Sequence, residues 1–301
     1  MAISQVRAQV NGTWHTLTYN SSTQKYEAPI TAPGSTSFHQ SGGYYNVKVE
    51  ATNTAGTVGT ADGGTMTGLR LVVKERVAPV ITILSPSSGA YVTNSKQPVV
   101  FNVVDETGGS GINLSSLVVK LDGTAVASNT IATTAITNGY SVTYTPASAV
   151  GDGKHTVSVD VSDNDGNAAT QKTTTFTVDT VPPTLNLTSP ADGLITATAA
   201  LNVSGSTNDS TSSPVTVKIK LNGADQGTVS VGSDGKFSKS ITLTNGSNTI
   251  EVTATDAAGK VSSMTRTVTL DTSVPKVVSA AITPNPVDAG ATMIISVEIS
   301  G

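Results

Sequence analysis

The sequence predicts an all-β fold: tandem β-sandwiches in an extended rod, with a two-stranded hairpin at the C-terminus. Aromatic residues are only 4% of the 301 residues and charged residues only 13%. Together with abundant Ser, Thr, Gly and Val, this favours short, half-buried strands over helices. One pattern recurs: an alternating strand, a turn of small residues ending in Gly, a second strand and then a proline. It occurs at residues 46–56, 155–166 and 248–259, followed by Pro79, Pro183 and Pro275. A repeat of roughly 100 residues fits one sandwich domain.

The repeats divide the chain into four parts. Residues 77–180 and 181–272 are complete domains, since each opens with a strand and a Ser-Pro turn, at Ser85-Pro86 and Ser189-Pro190. In each, a later strand is followed by Asp122-Gly123 or Asn222-Gly223. These pairs predict a tight turn, because both of its central positions need positive φ, which Asp, Asn and Gly tolerate. Residues 1–76 and 273–301 contain only parts of the repeat.

Residues 1–76 enter the repeat at its third strand. The sequence Val10-Asn11-Gly12 matches Leu221-Asn222-Gly223, which ends the third strand of its domain. Tyr26 follows Gly12 at the same distance as Phe237 follows Gly223. The N-terminal part is therefore predicted to be a shortened sandwich that lacks its first two strands.

Residues 273–301 contain two strands of the kind that residues 1–76 lack. An isolated hairpin is marginal in water, and the second strand here alternates in the pattern of a half-buried strand. We expect residues 276–300 of one copy to complete residues 1–76 of another, which gives a head-to-tail filament or ring. Docking on a different protein and a frayed or truncated tail are the alternatives. The expected apolar anchors of the hairpin are Val277, Val278, Ile282, Met293, Ile295, Val297 and Ile299.

Three segments carry a family resemblance: the joint at residues 179–184, the turn at 189–193 and the hairpin at 252–259. They resemble the bacterial immunoglobulin-like repeats of surface adhesins, carbohydrate-active enzymes and phage tail proteins. Residues 282–290 also look like the ends of some tail-associated proteins of Gram-positive phages. The resemblance implies a spacer, adhesive or decorating role and no chemistry, and many functions share this fold.

The expected function is therefore that of a structural and adhesive virion protein, in a phage or tailocin tail or capsid decoration. One alternative is a carbohydrate-binding adhesin module that recognises a bacterial cell-surface glycan. For it, and equally for a protein interface, Trp14, Tyr44 and Tyr45 are the candidate contacts, because amphipathic rings suit interfaces. They could equally form a domain core. A second alternative is a spacer arm of a secreted surface protein.

Several other functions are not expected. The histidines His15, His39 and His155 are scattered and no catalytic motif accompanies them, so the chain is predicted not to be an enzyme. A net charge of −4 without a basic run argues against nucleic-acid binding, and no apolar run is long enough for membrane insertion. The start shows no signal peptide, which suggests a virion location, extracellular after lysis.

No cofactor is expected, although calcium is an open alternative at one hairpin. Asp163 and Asp165 lie in a stretch crowded with Asp and Asn, and hard cations prefer oxygen ligands. The spacing of an EF-hand is not met, because position 161 is Val. We favour the simpler interpretation that these side chains cap backbone amides of the turn.

Overall fold

The computed structural model describes residues 2–301. Among these there is no α-helix, and 3-10 turns occur only at Ser41–Gly43, Thr67–Leu69 and Ser128–Thr130. The expected fold class is confirmed: the chain is all-β and folds as tandem immunoglobulin-like sandwiches. No helical segment of the described chain is long and apolar enough to cross a bilayer. Residues 1–178 and residues 179–301 form two compact units, and each is described by itself.

The N-terminal module, the first part of the first unit, has one main sheet. Its five strands lie in the order β3-β2-β1-β5-β6, and a short ladder joins β4 to β7. The strands are β1 (Ile3–Val10), β2 (Thr13–Asn20), β3 (Lys25–Glu27), β4 (Tyr45–Asn46), β5 (Lys48–Asn53), β6 (Val58–Ala61) and β7 (Arg70–Leu71). The turn between β1 and β2 uses Asn11 and Gly12, both at positive φ, as its sequence predicts.

The second module, which completes the first unit, has two sheets. One has the order β13-β14-β10-β8 and the other β12-β11-β15-β16-β9. The strands are β8 (Val80–Ser85), β9 (Ala90–Val92), β10 (Val99–Val104), β11 (Ile112–Leu121), β12 (Thr124–Ala125), β13 (Ile131–Ile136), β14 (Gly139–Tyr144), β15 (Gly153–Asp163) and β16 (Lys172–Val178). Alternate residues of β10 (Val99, Phe101 and Val103) are fully buried in the core.

The third module, in the second unit, repeats this plan. A sheet of order β17-β19-β22 accompanies one of order β18-β24-β23-β20-β21. The strands are β17 (Thr184–Ser189), β18 (Leu194–Thr196), β19 (Ala200–Asn208), β20 (Thr216–Leu221), β21 (Ala224–Asp225), β22 (Lys236–Thr242), β23 (Gly246–Thr255) and β24 (Val261–Leu270). Side chains from both sheets, including Val203, Ile219 and Val252, form one buried cluster.

The second unit ends in a hairpin of β25 (Lys276–Thr283) and β26 (Ile294–Ser300). The strands pair antiparallel, with Ile282 opposite Ile295 and Ala280 opposite Val297. A bulge lies between Val277 and Ser279. The hairpin forms a separate two-stranded sheet, and every one of its residues is exposed.

Since no disulfide supports the modules, their stability depends on core packing. We predict that Phe101→Ala in β10 destabilises the first unit by about 3–5 kcal/mol, because it removes a large, fully buried ring and leaves a cavity. Val80→Ala in the adjacent strand β8 is the control; Val80 is largely exposed, so its change should stay within about 0.5 kcal/mol. Urea unfolding checks this, and equal losses for both variants would contradict the core assignment.

Candidate functional site: an open sheet, an uncovered hairpin and two carboxylate clusters

The hairpin presents an uncovered apolar face. Because paired residues of an antiparallel ladder share a face, Ile282 lies beside Ile295, and Val277 lies beside Ile299. Val297 completes the row between Ile295 and Ile299. The exposed fractions of Ile295, Val297 and Ile299 are 61%, 51% and 62%. In the second module the corresponding strand β10 has its alternate residues fully buried, so the hairpin has the composition of a core strand without a core.

The other expected anchors, Val278 and Met293, are also exposed. Val278 lies at the bulge of β25, and Met293 immediately precedes β26. The structure thus brings six of the seven anchors into one small sheet, and Met293 lies just before its second strand.

The N-terminal module has the complementary deficiency. Its main sheet contains the counterparts of β20, β23 and β24, but no three-stranded sheet like β17-β19-β22 accompanies it among the described residues. Val6, Ala8 and Val10 of β1 are nevertheless buried. The strandless segment 28–44 contains two buried residues of its own, Thr36 and Ser37.

Strand β5 is less well covered than β1. Val49 and Ala51 are only half-buried, whereas Val252 and Ala254, at the same places in the third module, are completely buried. The same holds for Tyr26, which is half-buried where its counterpart Phe237 belongs to the core. The core-facing side of this sheet is therefore partly open.

The free edge of β6 is a second difference from the complete modules. In those, the equivalent strands β16 and β24 each pair with a short parallel strand, β9 or β18. In the N-terminal module β6 is the last strand of its sheet. An edge strand with unpaired amides and carbonyls is a template for strand addition.

The aromatic candidates lie in three different surroundings. One face of the Trp14 ring is occupied by the Arg7 guanidinium, 4.2 Å from the ring centroid, and Arg70 lies 4.9 Å from the Tyr44 centroid. Tyr45 is buried, and its hydroxyl donates to the carbonyl of Ser35 at 3.2 Å. The expectation that Tyr45 contacts a partner or glycan is corrected, because its ring packs inside the module.

Arg7 also donates to Glu50 at 2.7 Å, and Lys48 lies 2.8 Å from the same carboxylate. This charged group and Trp14 occupy the face of the sheet opposite Val6 and Ala8. The stacked Arg7 covers one face of the partly exposed indole. The cation–π attraction between them adds to the ion pairs of Glu50.

A first carboxylate cluster lies in the first unit, between the N-terminal and second modules. The side chains of Glu75, Asp105 and Glu106 approach within 4.8 Å of one another. Glu75 accepts a hydrogen bond from the backbone amide of Ser110, and Asp105 accepts one from Gly111 at 2.7 Å. One buried oxygen of each of the three carboxyl groups has no hydrogen-bond partner.

The pKa values of Glu75 and Glu106 are shifted in opposite directions. The pKa of Glu106 is raised to about 7, first by its hydrogen bond with Glu75 and then by burial. Burial alone would raise the pKa of Glu75, but its hydrogen bonds with Glu106 and Ser110 outweigh this and lower it. The raised pKa of Glu106 and the lowered pKa of Glu75 indicate that one proton on this pair resides on Glu106, as expected when two carboxyl groups crowd together.

The two calcium candidates of the sequence are occupied by the protein itself. Asp163 accepts from the backbone amides of Gly166 and Asn167 with one oxygen and from the Asn167 side chain with the other. Asp165 accepts from the Thr36 hydroxyl at 2.5 Å and from the amide of Glu75 at 3.1 Å. The geometry supports the turn interpretation for Asp163 and gives Asp165 a role in joining the two modules of the first unit.

A second carboxylate cluster, which the sequence interpretation missed, lies in the second unit. It consists of Asp179, Asp209 and Asp256. The available signal was the repeat itself. Asp179 precedes Pro183 as Glu75 precedes Pro79, and Asp209 follows β19 as Asp105 follows β10.

The histidines are not brought together. His39 lies 3.0 Å from the carbonyl of Gly109, and His155 pairs with Asp122 at 2.8 Å. His15 lies in β2. Among the described residues, no nucleophile is paired with a histidine. That the chain is not an enzyme stays a prediction.

Comparison with protein families matches two parts of the chain. Residues 86–180 match the model of a bacterial Ig-like domain, and residues 183–272 match domain B of glucodextranase. No curated protein matches.

Among solved structures, the chain is similar to the fibronectin(III)-like modules of Clostridium thermocellum CbhA, with 16% identity, 64% of this chain and 94% of that chain covered and a TM-score of 0.40. It is also similar to Sidekick-1 immunoglobulin domains 1–5, with 13% identity, coverage of 99% and 60% and a TM-score of 0.39. Bacteroides ovatus SGBP-B in complex with a mixed-linkage heptasaccharide gives 16% identity, coverage of 93% and 65% and a TM-score of 0.22. At these scores the matches carry no functional argument. With the family models and the sheets described above, the chain is an immunoglobulin-like tandem protein.

The Glu75–Glu106 pair predicts a pH-dependent stability. Because the folded-state pKa of Glu106 is raised, its stabilising contribution is complete below about pH 4.5 and is lost as the pH rises through about 7. We expect urea stability of the first unit to fall between pH 5 and 7, and Glu106→Gln to remove this fall.

Asp122→Asn is the control. Burial alone would lower the pKa of His155, but its hydrogen bond with Asp122 outweighs this and raises the pKa. The substitution removes that hydrogen bond. The contribution of His155 is lost only as the pH rises above about 6.5, so the Asp122 variant should keep the decline between pH 5 and 6.5. An unchanged slope in Glu106→Gln would exclude the shared proton.

Proposed function

We propose that the chain is a structural and adhesive virion protein, of a phage or tailocin, whose copies assemble head to tail by strand complementation. The hairpin β25-β26 of one copy covers the open sheet of the N-terminal module of the next. The observation that carries this proposal is the pairing of two deficiencies within one sequence: an apolar hairpin without a core and a sheet without its opposing layer.

The complete modules supply the template for the contact. In the third module, β17 and β19 are the first two strands, and they pair with β22 to form the layer opposite β20 and β23. The hairpin strands have the same order in the repeat and the same antiparallel pairing. Placed against β1 and β5, they would give the N-terminal module the layer that it lacks.

The segment before β26 adds a second contact in this arrangement. In the complete modules, the residues after the first turn form β9 or β18, parallel to the last strand. Residues 291–293 hold that place in the hairpin, after Gly290 at positive φ. They would therefore pair with the free edge of β6, where backbone hydrogen bonds add affinity without side-chain requirements.

The free energy available from burying the anchors is comparable with the cost of association. Five anchors on one face (Val277, Ile282, Ile295, Val297 and Ile299), at about 1.5–3 kcal/mol each, give roughly 7–15 kcal/mol. The association cost is of the order of 4–15 kcal/mol. Because the hairpin is already formed in the free chain, little additional ordering is needed, which favours a net gain.

The partner in this proposal is another copy of the chain, and the contact is heterologous. Such a contact yields a ring if the rotation closes and a filament if it does not. The virion setting is supported by the resemblance of residues 282–290 to phage tail-associated proteins. In that setting the two complete modules act as spacers, and the protein would be extracellular after lysis of the host.

We predict that Ile295→Asp combined with Val297→Asp abolishes assembly, because it places two charges in the apolar contact. The size distribution, measured by analytical ultracentrifugation at several concentrations, should collapse to the monomer. The modules should stay folded, because both positions are exposed in the single chain.

The matched control changes the other face of the same strand. Ile294→Asp combined with Ser296→Asp introduces the same charges in β26, at positions that pair with Thr283 and Ala281. This variant should assemble as the unmodified chain does. If the first variant assembles normally, or if both variants fail equally, the assignment of the apolar face as the contact is wrong.

A further inference from the structure

The second carboxylate cluster is built at the start of the third module from three separated loops. Asp179 precedes β17, Asp209 follows β19, and Asp256 follows β23. One carboxylate oxygen of each lies within 4.8 Å of those of the other two. The exposed fractions of Asp179, Asp209 and Asp256 are 0%, 9% and 6%. All three acids are thus at least nine-tenths removed from water.

The backbone orients each carboxylate. Asp179 accepts from the amide of Val181 at 3.1 Å and from the hydroxyl of Ser212. Asp209 accepts from the amides of Thr211 and Ser212, both at 2.8 Å and both with the same oxygen, Oδ1. These bonds hold the side chains in place; they use both oxygens of Asp179 but only Oδ1 of Asp209.

Asp256 provides the decisive observation. Its Oδ1 accepts from the backbone amide of Lys260 at 2.8 Å, but its buried Oδ2 has no hydrogen-bond partner. A buried carboxylate oxygen without a donor is costly. No ion pair among the described residues involves any of the three acids.

The second module shows what a self-sufficient version of this position looks like. Asp163 precedes Gly166 as Asp256 precedes Gly259, and its second oxygen accepts from the side-chain amide of Asn167. In the third module the residue at that place is Lys260, whose backbone amide alone bonds Asp256. The third module therefore keeps the acid but lacks the side-chain donor that hydrogen-bonds its second oxygen.

We propose that Asp179, Asp209 and Asp256 bind a calcium ion. Three negative charges this close and this buried repel one another, and a divalent cation converts the repulsion into attraction. Calcium suits a cage of several carboxylates with flexible geometry, whereas magnesium usually takes one or two carboxylates and keeps its waters. The ion would join the segment before β17 to the two loops and rigidify this end of the module. This inference does not depend on the proposed assembly.

The test uses the full chain, stripped with EDTA and dialysed, and CaCl2 as the probe. We expect calorimetric titration to show calcium binding and the melting temperature of the second unit to rise with CaCl2. Asp256→Asn should weaken binding at least about 10-fold. In EDTA this variant should be no less stable than the unmodified chain, because it keeps the acceptor for Lys260 and removes one buried charge.

Asp163→Asn is the matched control at the equivalent turn of the second module, and it should leave calcium binding unchanged. Asp209→Asn gives a second variant should Asp256→Asn fold poorly, and it should lose binding as well. No binding at about 10 mM CaCl2, above the 10⁻⁴–10⁻³ M range of extracellular modules, would overturn the proposal. Undiminished binding by the Asp256 and Asp209 variants would overturn the site, and equal binding of MgCl2 would overturn the choice of calcium.

Discussion

The structure depends on one constraint: the apolar face of each sheet must be covered, and the chain has no disulfide to substitute for that packing. The second and third modules meet the constraint internally, since two sheets close over one continuous core in each. The hairpin cannot meet it alone, because two strands have no opposing layer. The N-terminal module meets it only in part, with Val49 and Ala51 half-buried. We propose that assembly between copies supplies the cover that the hairpin and the N-terminal module lack.

The repeat that determines the sheets also places acidic residues at the ends of the strands. The hydrogen-bond partners of these acids differ from module to module. The pKa of Glu106 is raised to about 7, first by its hydrogen bond with Glu75, so that the pair carries less negative charge below that pH. The second oxygen of Asp163 accepts a hydrogen bond from the side-chain amide of Asn167. The second oxygen of Asp256 is buried and has no hydrogen-bond partner. The equivalent acids of the second and third modules thus differ in one neighbouring side chain, Asn167 or Lys260, and this difference underlies the proposed calcium site.

Much of the fold was predictable because its signals are local. Asn11-Gly12, Asp122-Gly123 and Asn222-Gly223 fix tight turns through positive φ, and alternation in β10 indicates the face that is buried. The sites were less accessible. Asp179, Asp209 and Asp256 are far apart in sequence and meet only through the strand order, and the burial of Tyr45 and the stacking of Arg7 on Trp14 arise from tertiary packing. Whether the hairpin anchors a second copy stays a prediction, because the contact lies between two copies of the chain.

Light scattering of the full chain beside a chain that ends at Thr272, over a concentration series, tests the central claim most directly. The full chain is expected to form species whose mass grows with concentration, whereas the shortened chain should stay monomeric with both complete modules folded. Monomers from both chains at every concentration would contradict head-to-tail complementation, and the hairpin would then have to be assigned to a different partner.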